Sequence, residues 1–83
     1  MSIIIQDIQK NNNEIIRIEV SEFKGKNLIN IRTWFKSMDN QMGEVIYKPT
    51  QKGVTLNVSE FEELKKSILK LEEYLNEQDQ STN

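Results

Sequence analysis

Phe23-Lys24-Gly25-Lys26-Asn27-Leu28-Ile29-Asn30-Ile31-Arg32-Thr33-Trp34-Phe35-Lys36 joins a tight basic turn to a strand that carries both cations and large aromatics. Glu22 to Lys26 reads as a hairpin turn, with Gly25 supplying the permissive backbone. On its N-terminal side, Ile15 to Ser21 alternates, with Ile16, Ile18 and Val20 on one face and Ile15, Arg17, Glu19 and Ser21 on the other, as a half-buried strand requires. On its C-terminal side, Asn27 to Lys36 puts Leu28, Asn30, Arg32 and Trp34 on one face and Ile29, Ile31, Thr33 and Phe35 on the other. Both faces end in an aromatic, and a thin domain has difficulty burying both rings. One of them is a candidate for stacking on a ligand.

The rest of the chain extends this hairpin into a meander. Ser37 to Gly43 reads as a loop, Glu44 to Lys48 as a short third strand, and Lys48 to Gly53 as a second basic turn in which Pro49, lacking an N–H, belongs at an edge or in a loop. Gly53 to Val58 gives the fourth strand. Ser59-Glu60-Phe61-Glu62 has the spacing of a capping box and predicts a helix start. Phe61, Leu64, Ile68, Leu71 and Leu75 then form one apolar stripe, expected to cover the sheet and reach into a second subunit. The reading divides the chain into an N-terminal extension (1–13), a folded domain (14–76) and a polar, flexible tail (77–83). The expected fold class is α+β: a four-stranded antiparallel sheet followed by one C-terminal helix.

Eighty-three residues allow one domain with a small core, so burial alone leaves little margin over chain entropy. The chain has no Cys and no His, which removes disulfides, thiolate nucleophiles, imidazole bases and nearly all structural zinc arrangements. Glu62-Glu63 and Glu72-Glu73 diverge around the helix by about 100° per residue and do not converge on one ion. The expectation is no catalytic residue, no metal and no cofactor. Ile3-Ile4-Ile5 is interrupted by Gln6 and Asp7, far short of a membrane span, and a cytoplasmic compartment is the default.

Net charge is −2, but its distribution is uneven. Residues 1–58 hold eight Lys/Arg against six acids, whereas residues 59–83 hold three Lys against seven acids. At physiological salt the Debye length is about 8 Å, so a basic sheet and an acidic helix act as separate patches. Lys24, Lys26, Arg32 and Lys36 follow one another with no intervening acid. Cations beside flat π-faces are what an unpaired nucleic-acid strand requires, since its backbone needs neutralising and its bases need a surface to lie on.

The same residues carry a family resemblance. Phe23-Lys24-Gly25-Lys26, then Ile29-Asn30-Ile31-Arg32 with an aromatic pair, then Lys48-Pro49-Thr50-Gln51-Lys52-Gly53-Val54-Thr55-Leu56, resemble the core of the transcriptional coactivator family called positive cofactor four or p15. The similarity runs from about Arg17 to about Leu75, with one longer loop. It implies a homodimer of curved four-stranded sheets, each followed by one helix, binding single-stranded DNA in channels over the sheets. Without the serine-rich and lysine-rich arm of eukaryotic members, the chain resembles the compact bacterial and phage versions. The resemblance implies that Lys24 and Lys26 contact the backbone and that Phe23 touches bases. The family's Tyr-Trp pair falls on Trp34-Phe35, so the contact tryptophan is replaced by Phe35. Basic family positions fall on Glu14, Ser21 and Gln51, and the helix has Phe61 where the family has Trp.

The sequence thus predicts a homodimeric, non-catalytic binder of single-stranded DNA or RNA with little sequence preference, nucleoid-associated in a bacterium or in the host cytoplasm if phage-encoded. Lys24, Lys26, Arg32, Lys48 and Lys52 are expected to hold phosphates, with Phe23, Trp34 and Phe35 as stacking rings. Transcription or replication machinery is a further expected partner. The alternative is a protein-interaction adaptor that uses the helix stripe.

Overall fold

Two runs of alternating residues joined by Lys24-Gly25 form the central hairpin. Lys24 and Gly25 both adopt positive φ, 54° and 78°, the type I′ geometry whose twist matches that of the flanking strands. The computed structural model describes residues 2–39 and 43–81. It contains β1 (Ser2–Gln9), β2 (Glu14–Phe23), β3 (Lys26–Asp39), β4 (Glu44–Asn57), a 3-10 turn (Val58–Glu60) and α1 (Phe61–Ser81). The strands form one antiparallel sheet in the order β1-β2-β3-β4, an open meander followed by one helix. The expected fold class is therefore observed.

The strands are divided differently from the sequence reading. Ser2–Gln9, read as an extension, is the edge strand β1, and it pairs with β2 from Ser2↔Ser21 to Gln9↔Ile15. A bulge between Ile4 and Gln6 inserts Ile5 and breaks the alternation that would have marked a strand. Glu44 to Asn57, read as two strands around a turn, is one strand. Between Arg32↔Gly53 and Trp34↔Pro49 the partner strand accommodates extra residues, so Thr50-Gln51-Lys52 bulges without reversing the chain. Side chains pin this bulge: Thr50 Oγ1 donates to the Thr33 carbonyl at 2.7 Å, Arg32 Nη1 donates to the Thr50 carbonyl at 3.0 Å, and the Lys52 N–H donates to Thr50 Oγ1 at 3.1 Å. Pro49 is tolerated because β4 is an edge. β3 continues to Asp39, through the start of the expected loop; the remainder of that loop at 40–42 lies outside the described residues, as do Met1, Thr82 and Asn83.

The helix begins differently too. Asn57 is extended (φ −77°, ψ 155°) and the chain turns at Val58, so Ser59 already lies inside the first turn and cannot cap it. The cap falls two residues earlier, where the Glu60 carboxylate accepts the Asn57 N–H at 2.8 Å. α1 runs through Ser81, past the expected boundary at 77.

Cross-strand register sorts the side chains onto two faces. Ile18↔Ile31↔Val54 and Val20↔Ile29↔Leu56 make an apolar face, while Arg17↔Arg32↔Gly53 and Glu19↔Asn30↔Thr55 make a polar one. Helix α1 does not close over the apolar face. Along residues 61–78 only Leu64 is half-buried, and the remainder are exposed. An open apolar groove of about 540 Å³ separates helix from sheet, lined by Ile5, Ile18, Val20, Ile29, Ile31, Phe61, Leu64 and Ile68 among others. Leu71 and Leu75, at 54% and 51% exposure, lie beyond it.

The molecule is accordingly extended. Its radius of gyration is 16.4 Å, against about 12 Å for a globular chain of this length. Its accessible surface is 6984 Å², against about 5,200 Å² for a monomeric protein of this mass, an excess of about 1,800 Å². Among the described residues only Ile15 and Thr33 are buried.

Gly53 is fixed by close approach where β4 resumes pairing. A Cβ there would lie 2.6 Å from the Ile31 carbonyl oxygen and 2.7 Å from the Arg32 Cα, and backbone cannot move aside without breaking the ladder. Gly53→Ala should lower stability in urea by about 1–3 kcal/mol. Gly25→Asn meets open space but a left-handed backbone at φ 78°, where any side chain is strained, so it should lower the midpoint, by less than Gly53→Ala because Asn tolerates this conformation better than other side chains.

Candidate nucleic-acid interface

The polar face is organised by side chains that span the sheet. Asn30 Nδ2 donates to Ser21 Oγ and Thr55 Oγ1 donates to Asn30 Oδ1, both at 2.8 Å, linking β2, β3 and β4. Further along, Arg17 donates from Nε to Asp7 Oδ1 at 2.8 Å and from Nη2 to Asp7 Oδ2 at 3.0 Å, tying β2 to β1. The Arg17 hydrogen bond holds the Asp7 carboxyl below the ordinary carboxylate range, and Asp7 raises the Arg17 guanidinium in return. The Arg17 guanidinium carbon sits 4.6 Å from the Trp34 ring centre and 5.8 Å from that of Tyr47. These contacts join all four strands.

Trp34 lies within this set of contacts. It is half-buried, Arg17 lies over its ring, and its Nε1–H is buried without an acceptor among the described residues. An unsatisfied buried donor costs about 1–3 kcal/mol, so the ring is retained for its packing and its π-face. Phe23, 61% exposed, offers an open ring instead. It pairs with Lys26, placing both on the polar face, and the Lys24 ammonium lies 5.3 Å from its centre.

The remaining site residues separate into two groups. Lys26, Arg32 and Trp34 share one side of β3, with the Lys52 bulge next to Arg32. Phe35 and Lys48 are cross-strand partners on the opposite side. The two basic turns do not share one edge of the sheet: Lys26 and Arg32 lie six residues apart on β3, roughly 20 Å at strand rise. The cations form a track along the strand, starting at the Lys24-Lys26 turn and continuing past Arg32. Arg17 was not singled out from sequence. Its proximity to Asp7 depends on pairing of a strand that the sequence did not reveal.

The chain is thus an open antiparallel meander with a C-terminal helix, polar on one face and apolar on the other. Residues 10–67 match the profile of the family described as Transcriptional Coactivator p15 (PC4), and the chain belongs to that family. Membership gives it a DNA-binding, coactivator-like character in a family of nucleic-acid binders rather than enzymes. The fold is similar to that of a PC4 homologue from Burkholderia pseudomallei K96243. Its tetragonal crystal form has a TM-score of 0.73 at 19% identity, covering 87% of this chain and 98% of that one. The chain is also similar to a bacteriophage T5 homologue of the eukaryotic transcription coactivator PC4, implicated in recombination-dependent DNA replication. That match has a TM-score of 0.53 at 28% identity, covering 99% of this chain and 90% of that one. Comparison with curated proteins returned no match. No helix among the described residues is long and apolar enough to cross a membrane.

Lys24 occupies a left-handed position that disfavours L side chains by about 1–2 kcal/mol and that Asn tolerates. Lys24→Asn should therefore raise the thermal midpoint while weakening binding to an oligo-dT. Trp34→Phe, which removes the orphan donor and keeps a ring beneath Arg17, should leave the midpoint unchanged or higher, whereas Trp34→Ala should lower it.

Proposed function

We propose that the chain binds single-stranded DNA or RNA as a homodimer, with little sequence preference. The observation that carries this reading is the exposed cation track beside the open Phe23 ring, on a sheet whose other face is left uncovered. Lys24, Lys26, Arg32 and Lys52 neutralise the phosphate backbone and Phe23 supplies a stacking surface. Because every base has a π-face, stacking on it discriminates little among sequences. Trp34 lies on this same face, in contact with Arg17.

A second copy accounts for the apolar side. The excess surface of about 1,800 Å² lies within the range that obligate dimers bury per partner, roughly 1,000–2,500 Å². The groove between sheet and helix, with Phe61, Leu64, Ile68, Leu71 and Leu75, is the surface that such a partner covers. The resemblance to compact bacterial and phage family members supports a role at exposed single strands in the cytoplasm, of a bacterium or of a phage host. The T5 homologue's link to recombination-dependent replication favours replication or recombination, alongside transcription, as the process served.

Phe35 and Lys48, cross-strand partners on the opposite face at the far end of the sheet, give the same strand a second, separate contact. Phe35→Ala should then weaken a long oligo-dT and leave a short one unaffected.

Anisotropy titration of a labelled oligo-dT at several salt concentrations tests the reading. Each lysine that neutralises a phosphate contributes about 0.7 to the slope of log affinity against log salt. Lys24→Ala, Lys26→Ala and Lys52→Ala should each flatten the slope, and Phe23→Ala should lose about 1–3 kcal/mol of affinity. Lys65→Ala and Lys66→Ala, on the acidic helix, should change neither. Equal affinity for duplex and single strand, or a slope sensitive only to the helix lysines, refutes the assignment.

A further inference from the structure

Arg17 and Arg32 are direct cross-strand partners on the polar face, an arrangement that like charges disfavour. It persists because Arg17 is neutralised. Asp7 receives its guanidinium through two parallel hydrogen bonds, at 2.8 and 3.0 Å, and this fork is the geometry in which an arginine also holds a phosphate. The Arg17 side chain is 14% exposed and that of Asp7 37%, so the carboxylate belongs to the more accessible member of the pair. The Trp34 and Tyr47 rings also hold the guanidinium, with centres 4.6 and 5.8 Å from its carbon.

We propose that Arg17 is a masked phosphate contact, and that Asp7 stands where a backbone phosphate of the bound single strand sits. Strand binding then exchanges one anion for another on a guanidinium already oriented by two rings. After the exchange, Arg17 and Arg32 present adjacent cations to the backbone. In the free protein, Asp7 keeps two uncompensated guanidinium groups from standing side by side. The inference rests on the single-strand reading above and adds to it a residue and a competition.

Asp7→Asn removes the competing charge and keeps a similar shape. It should bind oligo-dT about tenfold more tightly than the wild-type chain, the scale of one charge-assisted hydrogen bond. Adding Arg17→Gln to Asp7→Asn should flatten the salt slope by about 0.7, one phosphate contact. If Asp7→Asn binds no tighter and the double variant keeps the same slope, Arg17 is structural only and the proposal is overturned. Should the double variant fail to fold, the wild-type chain decides by NMR. A hydrogen-bond coupling between the Arg17 side-chain nitrogens and a 31P nucleus of bound oligo-dT is expected; coupling at Arg32 with none at Arg17 overturns the proposal. Failure of the wild-type chain to bind oligo-dT at all would instead refute the single-strand reading.

Discussion

A sheet has two faces, and one chain of this length supplies cover for neither. That constraint governs the molecule. The apolar face runs across three strands through Ile18, Ile31 and Val54 and through Val20, Ile29 and Leu56, yet the helix that follows stands off from it and keeps its own stripe in water. Burying an aliphatic or phenyl side chain stabilises by roughly 1.5–3 kcal/mol. With Ile15 and Thr33 the only buried positions among the described residues, little of that gain is realised within one protomer. The proposed second copy supplies it, and the thinness of the protomer, 18 Å in its shortest dimension, is what a two-layer assembly requires of each half.

Covering one face leaves the other for a ligand, and the polar face carries the features that a packed core would reject. Two arginines are directly opposed, a lysine occupies a left-handed backbone position, a phenylalanine ring lies open and a buried indole N–H has no acceptor among the described residues. Each reduces stability, and strain of this kind concentrates at functional surfaces. The Asp7-Arg17-Trp34-Tyr47 contacts hold this face in register from one edge of the sheet to the other, so rigidity comes from side chains where a hydrophobic layer is absent.

The parts of this arrangement that local periodicity controls were legible in the sequence. The alternation from Ile15 to Ser21 and from Asn27 to Lys36, and the Lys24-Gly25 turn, gave the central hairpin, and Lys48 to Leu56 carried the family resemblance. β1 was hidden because Ile3-Ile4-Ile5 does not alternate and a bulge shifts its register at Ile5. β4 looked like two strands because Pro49 and Gly53 resemble turn residues, whereas here they bracket a bulge on an edge strand. For the candidate site, Phe23, Lys24 and Lys26 are neighbours in sequence and lie together at the turn. Phe35 and Lys48 fall on the other face because adjacent strand residues diverge, and the contact of Arg17 with Asp7 comes from a pairing of strands that no local pattern announces.

The most direct test of this account is the melting midpoint of the wild-type chain across a wide range of protein concentration, with sedimentation equilibrium on the same samples. A protomer that completes its core only with a second copy should sediment as a dimer, and its midpoint should rise steadily with concentration. A folded monomer whose midpoint is independent of concentration would contradict the account, because the apolar face would then be stable while uncovered.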